Sequence, residues 1–357
     1  MQNSKRVYEI DLLRLIAALS VVFFHYTFRG YATGDFSTVF FPYINQASRY
    51  GILGVHLFFM ISGFVILLSA ENKGVIDFSI SRFVRLYPTF WLILSIISIF
   101  LILFGGSQYH ITPKSFLLNL TMLNELFGVD YISGVVWSLL LELRFYFLVA
   151  ILIFFKQLDN IVYYLTAWLI ISFSYLFVNL HPIIKFAFFP EYSSFFIAGA
   201  LFYLIHRDGI SLYKILLLML SYYLSIKTTL INFHSLAKYF STEFNSQVFI
   251  VIITLFYTIF FLISIKKTEK FKHKLFLKLG ALTYPLYLIH ENIGYIILNT
   301  FNHYINKYLL LIMLVSLMIF IAYMINIYFE NRYLSKIKRG LESFFRKTIH
   351  YEAKHIN

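Results

Sequence analysis

Arg14 and His25 both fall inside Leu12–Phe28, the first apolar segment of the chain. A charge at the centre of a helix in hydrocarbon costs roughly 2.5–3.5 kcal/mol on insertion scales, so such groups face a protein interior or a wet cavity. Eleven residues separate the two. On a helix that spacing returns to nearly the same face, about 16 Å further along one stripe. Glu142 lies about ten residues into the fourth apolar segment, roughly 15 Å from the membrane face it enters by. His25 lies about fourteen residues into a segment running the other way, roughly 20 Å from its own starting face. In a hydrocarbon core about 30 Å thick these depths agree. A histidine and a glutamate at one depth can share a hydrogen bond. The carboxylate would orient the imidazole and raise its basicity, as a general base acting on a hydroxyl requires. A structural polar contact between two helices accounts for the same pair.

Other ionisable groups bear on the same chemistry. Asp11 stands three residues before Arg14 and can pair with it locally. The plain alternative is an arginine reaching out to the headgroups. Arg82 and Arg85, in SRFVRLYP at the cytoplasmic mouth of the third segment, share a helix face. Two guanidinium forks suit a phosphate-bearing cofactor, although bare positive-inside bias predicts the same charges. His56, in GVHLFFMISGFVI, lies near the outer end of the second segment, with Ser62 and Gly63 deeper. Small residues there permit close helix approach. His290 and Glu291, in LTYPLYLIHENIG, lie in mid-span of the ninth segment, downstream of Pro285, which loosens that helix. Arg144 is two residues from Glu142 and faces the other way, with Glu291 as one candidate partner. His25, His56, His290 and Glu142 could in principle surround a zinc ion, but they come from four segments with no local ligand spacing, and no metal is expected.

The elements that must position these groups are membrane helices. Sixty per cent of the residues are hydrophobic, 13% are charged, and the mean hydropathy is +0.75. The apolar residues come in long runs instead of alternating, which favours helices over a β-barrel. Spans are expected at 12–29, 51–69, 86–104, 133–155, 161–179, 192–206, 211–226, 246–265, 280–299 and 308–329. The sixth and seventh are short, and the fourth has the length of a tilted helix. Segment 115–128 is too short and polar to span and is expected at the interface or as a re-entrant turn. The fold class is therefore an all-α polytopic bundle of about ten helices with both termini cytoplasmic. Residues 1–335 form one membrane domain and 336–357 a basic cytoplasmic tail. The longer outside loops are 30–50, 105–132 and 227–245, and the most basic inside loop is 266–278.

The net charge of +13 invites a nucleic-acid partner, but its distribution argues against one. With both termini inside, roughly twenty Lys and Arg fall on the cytoplasmic side, among them Lys5, Arg6, Lys73, Lys272 and the tail to Lys354, against about seven outside. The excess is a topology signal. The chain has no cysteine, so disulfides and thiol nucleophiles are excluded. The first segment lacks a small-residue cleavage site and is expected to be retained. There are no internal repeats.

Several stretches together resemble the acyltransferase-3 family of bacterial integral-membrane O-acyltransferases, over about residues 7–330. YEIDLLRLIAALSVVFFHY is similar to the family's first helix, with Arg14 and His25 matching its Arg–ten residues–His signature. GVHLFFMISGFVI resembles the second-helix motif, with His56 where an acid is more usual. SRFVRLYPTFW matches the Arg-x-x-Arg motif through Arg82 and Arg85. VVWSLLLELRFYFL matches the Trp-Ser-Leu-x-x-Glu motif through Trp137, Ser138 and Glu142, with Leu143 where a second acid is frequent. LTYPLYLIHENIG resembles the late motif through Thr283, Tyr284, Tyr287 and His290.

The resemblance implies transfer of an acyl group, commonly acetyl from acetyl-CoA, to a carbohydrate hydroxyl. Typical acceptors are cell-surface polysaccharides, such as lipopolysaccharide or exopolysaccharide, or their lipid-linked precursors. It implies a multi-pass protein of the bacterial inner membrane, with His25, Glu142 and Arg14 as catalytic residues. It places Arg82, Arg85, Ser62 and Gly63 toward the acyl-CoA and His56, Trp137, Ser138, Tyr287 and His290 toward the acceptor. Arg14, Ser138 and Tyr287 are candidate donors to the tetrahedral oxyanion. Both a general-base route and an acyl-histidine route are open, as is homo-oligomerisation. The competing expectation is an exporter of a polysaccharide or its precursor, since intramembrane charges also mark transport paths. A third is a non-catalytic membrane scaffold.

Overall fold

A computed structural model describes residues 7–271 and 273–355 and holds no strand among them. Lys5, Arg6 and Lys272, with their share of the predicted charge asymmetry, lie outside the described residues. So do the side chains of Gln108 and of 347–355, Lys354 included. The long helices are α1 Tyr8–Phe24, α2 Leu53–Ala70, α3 Val75–Phe104, α4 Val136–Phe154, α5 Ile161–Ser174, α6 Ser193–Asp208, α7 Leu212–Tyr239, α8 Ser246–Ser264, α9 Lys274–Phe301, α10 Lys307–Ile325 and α11 Ser335–His355. A π-helical turn, His25–Arg29, extends α1, and a longer π-helical stretch, Asn326–Leu334, joins α10 to α11.

Among the described residues, eight helical segments are long and apolar enough to cross a bilayer. The two remaining predicted spans each fall short for one reason. Helix α5 has 14 residues, about 21 Å of rise against a core of about 30 Å. Helix α9 has 28 residues and length to spare, but Pro285, His290, Glu291 and Asn292 make its middle polar. The protein is an all-α, multi-pass membrane protein.

Two boundaries differ from expectation. The third helix starts at Val75, not at 86, so Arg82 and Arg85 sit inside α3, about 10 and 15 Å from its start, not ahead of it. The polar first turns kept the hydropathy low there, yet the helix begins directly after the extended Gly74 and runs through Pro88 to Phe104. The expected outside loop 227–245 is mostly the second half of α7, a 28-residue helix. The expected interfacial segment 115–128 contains only the short helix Pro113–Asn119, capped by Thr112 and Ser115, and the single turn Asn124–Phe127. The basic tail is helical from Ser335.

The chain forms two compact units. The first comprises Met1–Leu68, Asp159–Thr283 and Gly294–Val315, the second Ser69–Leu158, Tyr284–Ile293 and Ser316–Asn357. Within the first unit α6 is buried on every side. It meets α2 where Gly63 faces the backbone of Phe196 and Ala200 while Gly199 faces the backbone of Met60 and Phe64. Two glycines apposed in this way let the helices approach at backbone distance, the usual device where hydrocarbon supplies no hydrophobic drive between helices. Polar atoms fasten the neighbouring helices. Ser221 Oγ donates to the Ser194 carbonyl at 2.7 Å, Ser225 Oγ donates to Ser194 Oγ at 3.0 Å, and the Tyr257 hydroxyl bonds to both Ser221 and Ser225. Gly63 therefore serves helix packing. Its open face is taken up by α6. Gly199→Val is expected to force α2 and α6 apart at a cost of about 1–3 kcal/mol, read as a lower unfolding temperature of the purified protein in detergent.

In the second unit α3 and α4 pack together, and α11 lies against α3. Thr89 Oγ1 donates to Glu330 Oε1 at 3.0 Å and Asn326 Nδ2 donates to Glu330 Oε2 at 2.7 Å. A buried carboxylate at the end of the last span is thereby satisfied.

Candidate active site

His25 is 6% exposed and opens the π-helical turn at the end of α1. Its Nδ1 lies 2.9 Å from the Val21 carbonyl. A carbonyl only accepts, so Nδ1 carries the proton and Nε2 carries the lone pair. The partner at Nδ1 is thus the backbone of the preceding turn. Phe24 and Tyr295 present ring edges to the imidazole at centroid distances of 5.2 and 6.4 Å.

Two glycines of α9 receive α1. Asp11 packs on Gly280 and the Tyr26 ring on Gly294, where any side chain would collide. Asp11 to Tyr26 and Gly280 to Gly294 are nearly equal spacings in the same chain sense, so α1 and this helix run side by side in parallel. The predicted local pair is present: Arg14 Nη1 donates to Asp11 Oδ1 at 3.2 Å, with the arginine side chain 22% exposed and the aspartate 3%. His56, also in the first unit, is buried among the rings of Phe59, Tyr192, Phe195 and Phe233. Ser62 is half-buried on the same helix.

The second unit gathers the other predicted residues. Tyr146 donates to Glu142 Oε1 at 2.6 Å, one helical turn along α4. The Arg82 guanidinium lies 5.7 Å from the Tyr146 ring centre and 5.9 Å from that of Phe78. The Arg85 guanidinium lies 5.5 Å from the ring of Tyr284, whose hydroxyl donates to the Leu86 carbonyl at 2.9 Å. Each guanidinium sits within stacking reach of an aromatic face, and Glu142 supplies the nearby negative charge. Ahead of α3, Lys73 has its pKa lowered first by burial and then by Arg82 and Lys338, with Asp77 and Glu342 opposing. Cations from three elements of this unit thus converge at the start of α3.

A second cluster surrounds the centre of α9. The hydroxyls of Ser138 and Tyr287 lie 2.7 Å apart, and both reach the Val135 carbonyl, at 3.0 and 3.2 Å. Whichever hydroxyl donates to the other, both protons are engaged, since the second goes to Val135. This pair fastens α4 to α9. His290 is 0% exposed and turns Nδ1 to the carbonyls of Tyr287 and Leu286. Trp137 is half-buried at the start of α4. In the adjoining loop Tyr131 donates to Glu125 Oε2 at 2.8 Å. Burial and then that carboxylate hold its hydroxyl pKa well above the usual value, with Arg144 pulling the other way.

The structure thus groups Arg82, Arg85 and Glu142, and separately Ser138, Tyr287 and Trp137 with the start of α4. His25, Arg14, His56, Ser62 and Gly63 belong to the first unit. The sequence reading missed Tyr146 and Glu330. The signal for Glu330 was a lone acid closing the last apolar run, in IYFENRYL. Tyr146 carried none, because one tyrosine among 28 does not stand out.

Ionisable groups buried in the helices of a multi-pass membrane protein define a class that does chemistry or transport within the bilayer. The family model for the acyltransferase-3 domain, described as an acyltransferase domain, matches residues 7–327, and the chain belongs to this family. It is a membrane acyltransferase. No curated protein and no solved structure matches the chain.

Proposed function

We propose that this protein transfers an acyl group, acetyl in the simplest case, from acyl-CoA to a hydroxyl of a cell-surface polysaccharide or its lipid-linked precursor, in the bacterial inner membrane. The observation that carries the proposal is His25: buried in the first span, with Nδ1 committed to Val21 and Nε2 left as the basic nitrogen. Nε2 takes the proton from the sugar hydroxyl, and the oxygen attacks the thioester carbonyl. The tetrahedral adduct collapses with loss of the CoA thiolate, which recovers the proton from the imidazolium. Attack by Nε2 itself, through an acyl-histidine, balances equally.

Arg82 and Arg85 are assigned to the phosphates of CoA, for which guanidinium forks are well suited. The converging Lys73 and Lys338 favour an anion at the same end of the unit. Glu142, bonded to Tyr146, balances the two guanidinium charges. Arg14 is assigned to the developing oxyanion. His56, Trp137 and His290 are assigned to the acceptor. Family membership favours this reading over an exporter. No metal takes part in the proposed reaction.

Mass spectrometry of surface glycans from cells with and without the gene tests it. The expected result is one acyl group per repeat unit present only with the gene, together with acyl-CoA-dependent thiol release by the purified protein. Identical glycans, with no thiol released on any acceptor fraction, would reject the proposal.

A further inference from the structure

Glu291 is 2% exposed at the centre of α9, and the proposed reaction leaves it without a role. It touches the chain just ahead of α4. Its Oε2 accepts from the Val135 backbone N–H at 3.1 Å and from Ser133 Oγ at 3.3 Å. The next residue continues the grip: Asn292 Nδ2 donates to the Ile132 carbonyl at 2.6 Å. One turn earlier Tyr287 meets Ser138 and the Val135 carbonyl. The far side of this strip is held too, since Asn119 Oδ1 accepts from the Ile132 N–H and its Nδ2 donates to the Asp130 carbonyl. Side chains therefore hold the backbone of this strip at Asp130, Ile132 and Val135, and the anchors on one side come from a single polar turn of α9.

The placement has a physical reason. Val135 precedes the first residue of α4, where backbone N–H groups have no partner inside the helix. A carboxylate there satisfies a donor and meets the positive end of the helix dipole. A buried carboxylate must itself be bonded to remain buried. Further along α4 come Trp137 and Ser138, then Glu142 about one turn on and Tyr146 about one turn beyond that. Rotation or slippage of the helix start would carry Glu142 away from its present position.

We infer that Glu291 is a positioning residue for acyl transfer, its carboxylate setting the register in which α4 presents Trp137, Ser138 and Glu142. The inference rests on the proposed acyl transfer. Its effect on rate is that of a misplacement of about 1 Å, which costs up to about 100-fold without any change in the reacting groups.

The test uses the full chain in detergent or nanodiscs, with Glu291→Leu, which removes the acceptor, and Glu291→Gln, whose amide oxygen can still accept from Val135 and Ser133. The readouts are kcat and KM for acyl-CoA, unfolding temperature, and amide hydrogen exchange across 130–138. The expected result is a kcat lowered up to about 100-fold in the leucine variant, with substantial recovery in the glutamine variant. KM for acyl-CoA stays unchanged, and exchange accelerates at 130–138 in the leucine variant only. Should the leucine variant fail to fold, the glutamine variant decides: near-wild-type kcat with unchanged exchange supports the inference. Equal loss of kcat in both variants with exchange unaltered would overturn it and make Glu291 a charge acting directly. Full activity in a folded leucine variant would overturn it as well. Wild-type protein that turns over no acyl-CoA would instead overturn the proposed function, and the inference with it.

Discussion

His25→Ala is expected to leave a folded, membrane-inserted protein whose acyl transfer falls by about 10² to 10⁴-fold, the range a positioned general base contributes. The imidazole is built for one task at one nitrogen. The Val21 carbonyl 2.9 Å from Nδ1 fixes the tautomer, so Nε2 is the basic atom. Alanine also deletes a ring that Phe24 and Tyr295 contact edge-on. Some loss of stability therefore accompanies the loss of rate, and unfolding temperature must be recorded beside thiol release. His25→Gln separates the two effects, since its amide fills much of the space and cannot take up a proton. If the glutamine variant kept turnover within about tenfold of wild type, the base would have to be sought elsewhere.

Removal of both guanidinium groups, Arg82→Ala with Arg85→Ala, is expected to raise KM for acyl-CoA by about 100-fold or more while kcat changes little. A charge-assisted hydrogen bond is worth about 1.5–3 kcal/mol, and loss of uniform binding appears in KM and not in kcat. The structural alternative makes a different prediction. Arg82 lies over Tyr146 and Phe78 and Arg85 over Tyr284, so a purely architectural pair would lower the unfolding temperature with KM intact. Arg→Lys at both positions sharpens the distinction, because lysine keeps the charge and loses the planar fork. Titration of the thioester against each variant, with unfolding temperature in parallel, reads both outcomes.

The candidate site was legible in the sequence wherever a polar group broke an apolar run. Arg14, His25, Glu142, His290 and Glu291 stand out because hydrocarbon makes each of them costly, and the structure buries His25, His290 and Glu291. The local Asp11–Arg14 pair followed from helix spacing alone and is present at 3.2 Å. Hydropathy located most spans for the same reason. It failed at the start of α3, where Asp77, Arg82 and Arg85 make a helix look like a loop, and in the second half of α7, where polar residues continue a helix past its apolar part.

Identity and spacing alone determined that this chain is helical, crosses a membrane several times and buries groups able to move protons, because the cost of polar atoms in hydrocarbon is set residue by residue. Hydrogen-bond partners were decided only by tertiary structure. That the Val21 carbonyl meets Nδ1 of the His25 ring, that Ser138 and Tyr287 commit their protons to each other and to Val135, and that Glu291 secures the entry to α4 all depend on directed bonds. A hydrogen bond needs two atoms within about 3 Å at a favourable angle. For residues as far apart in sequence as 135 and 291, only the packed fold sets that geometry.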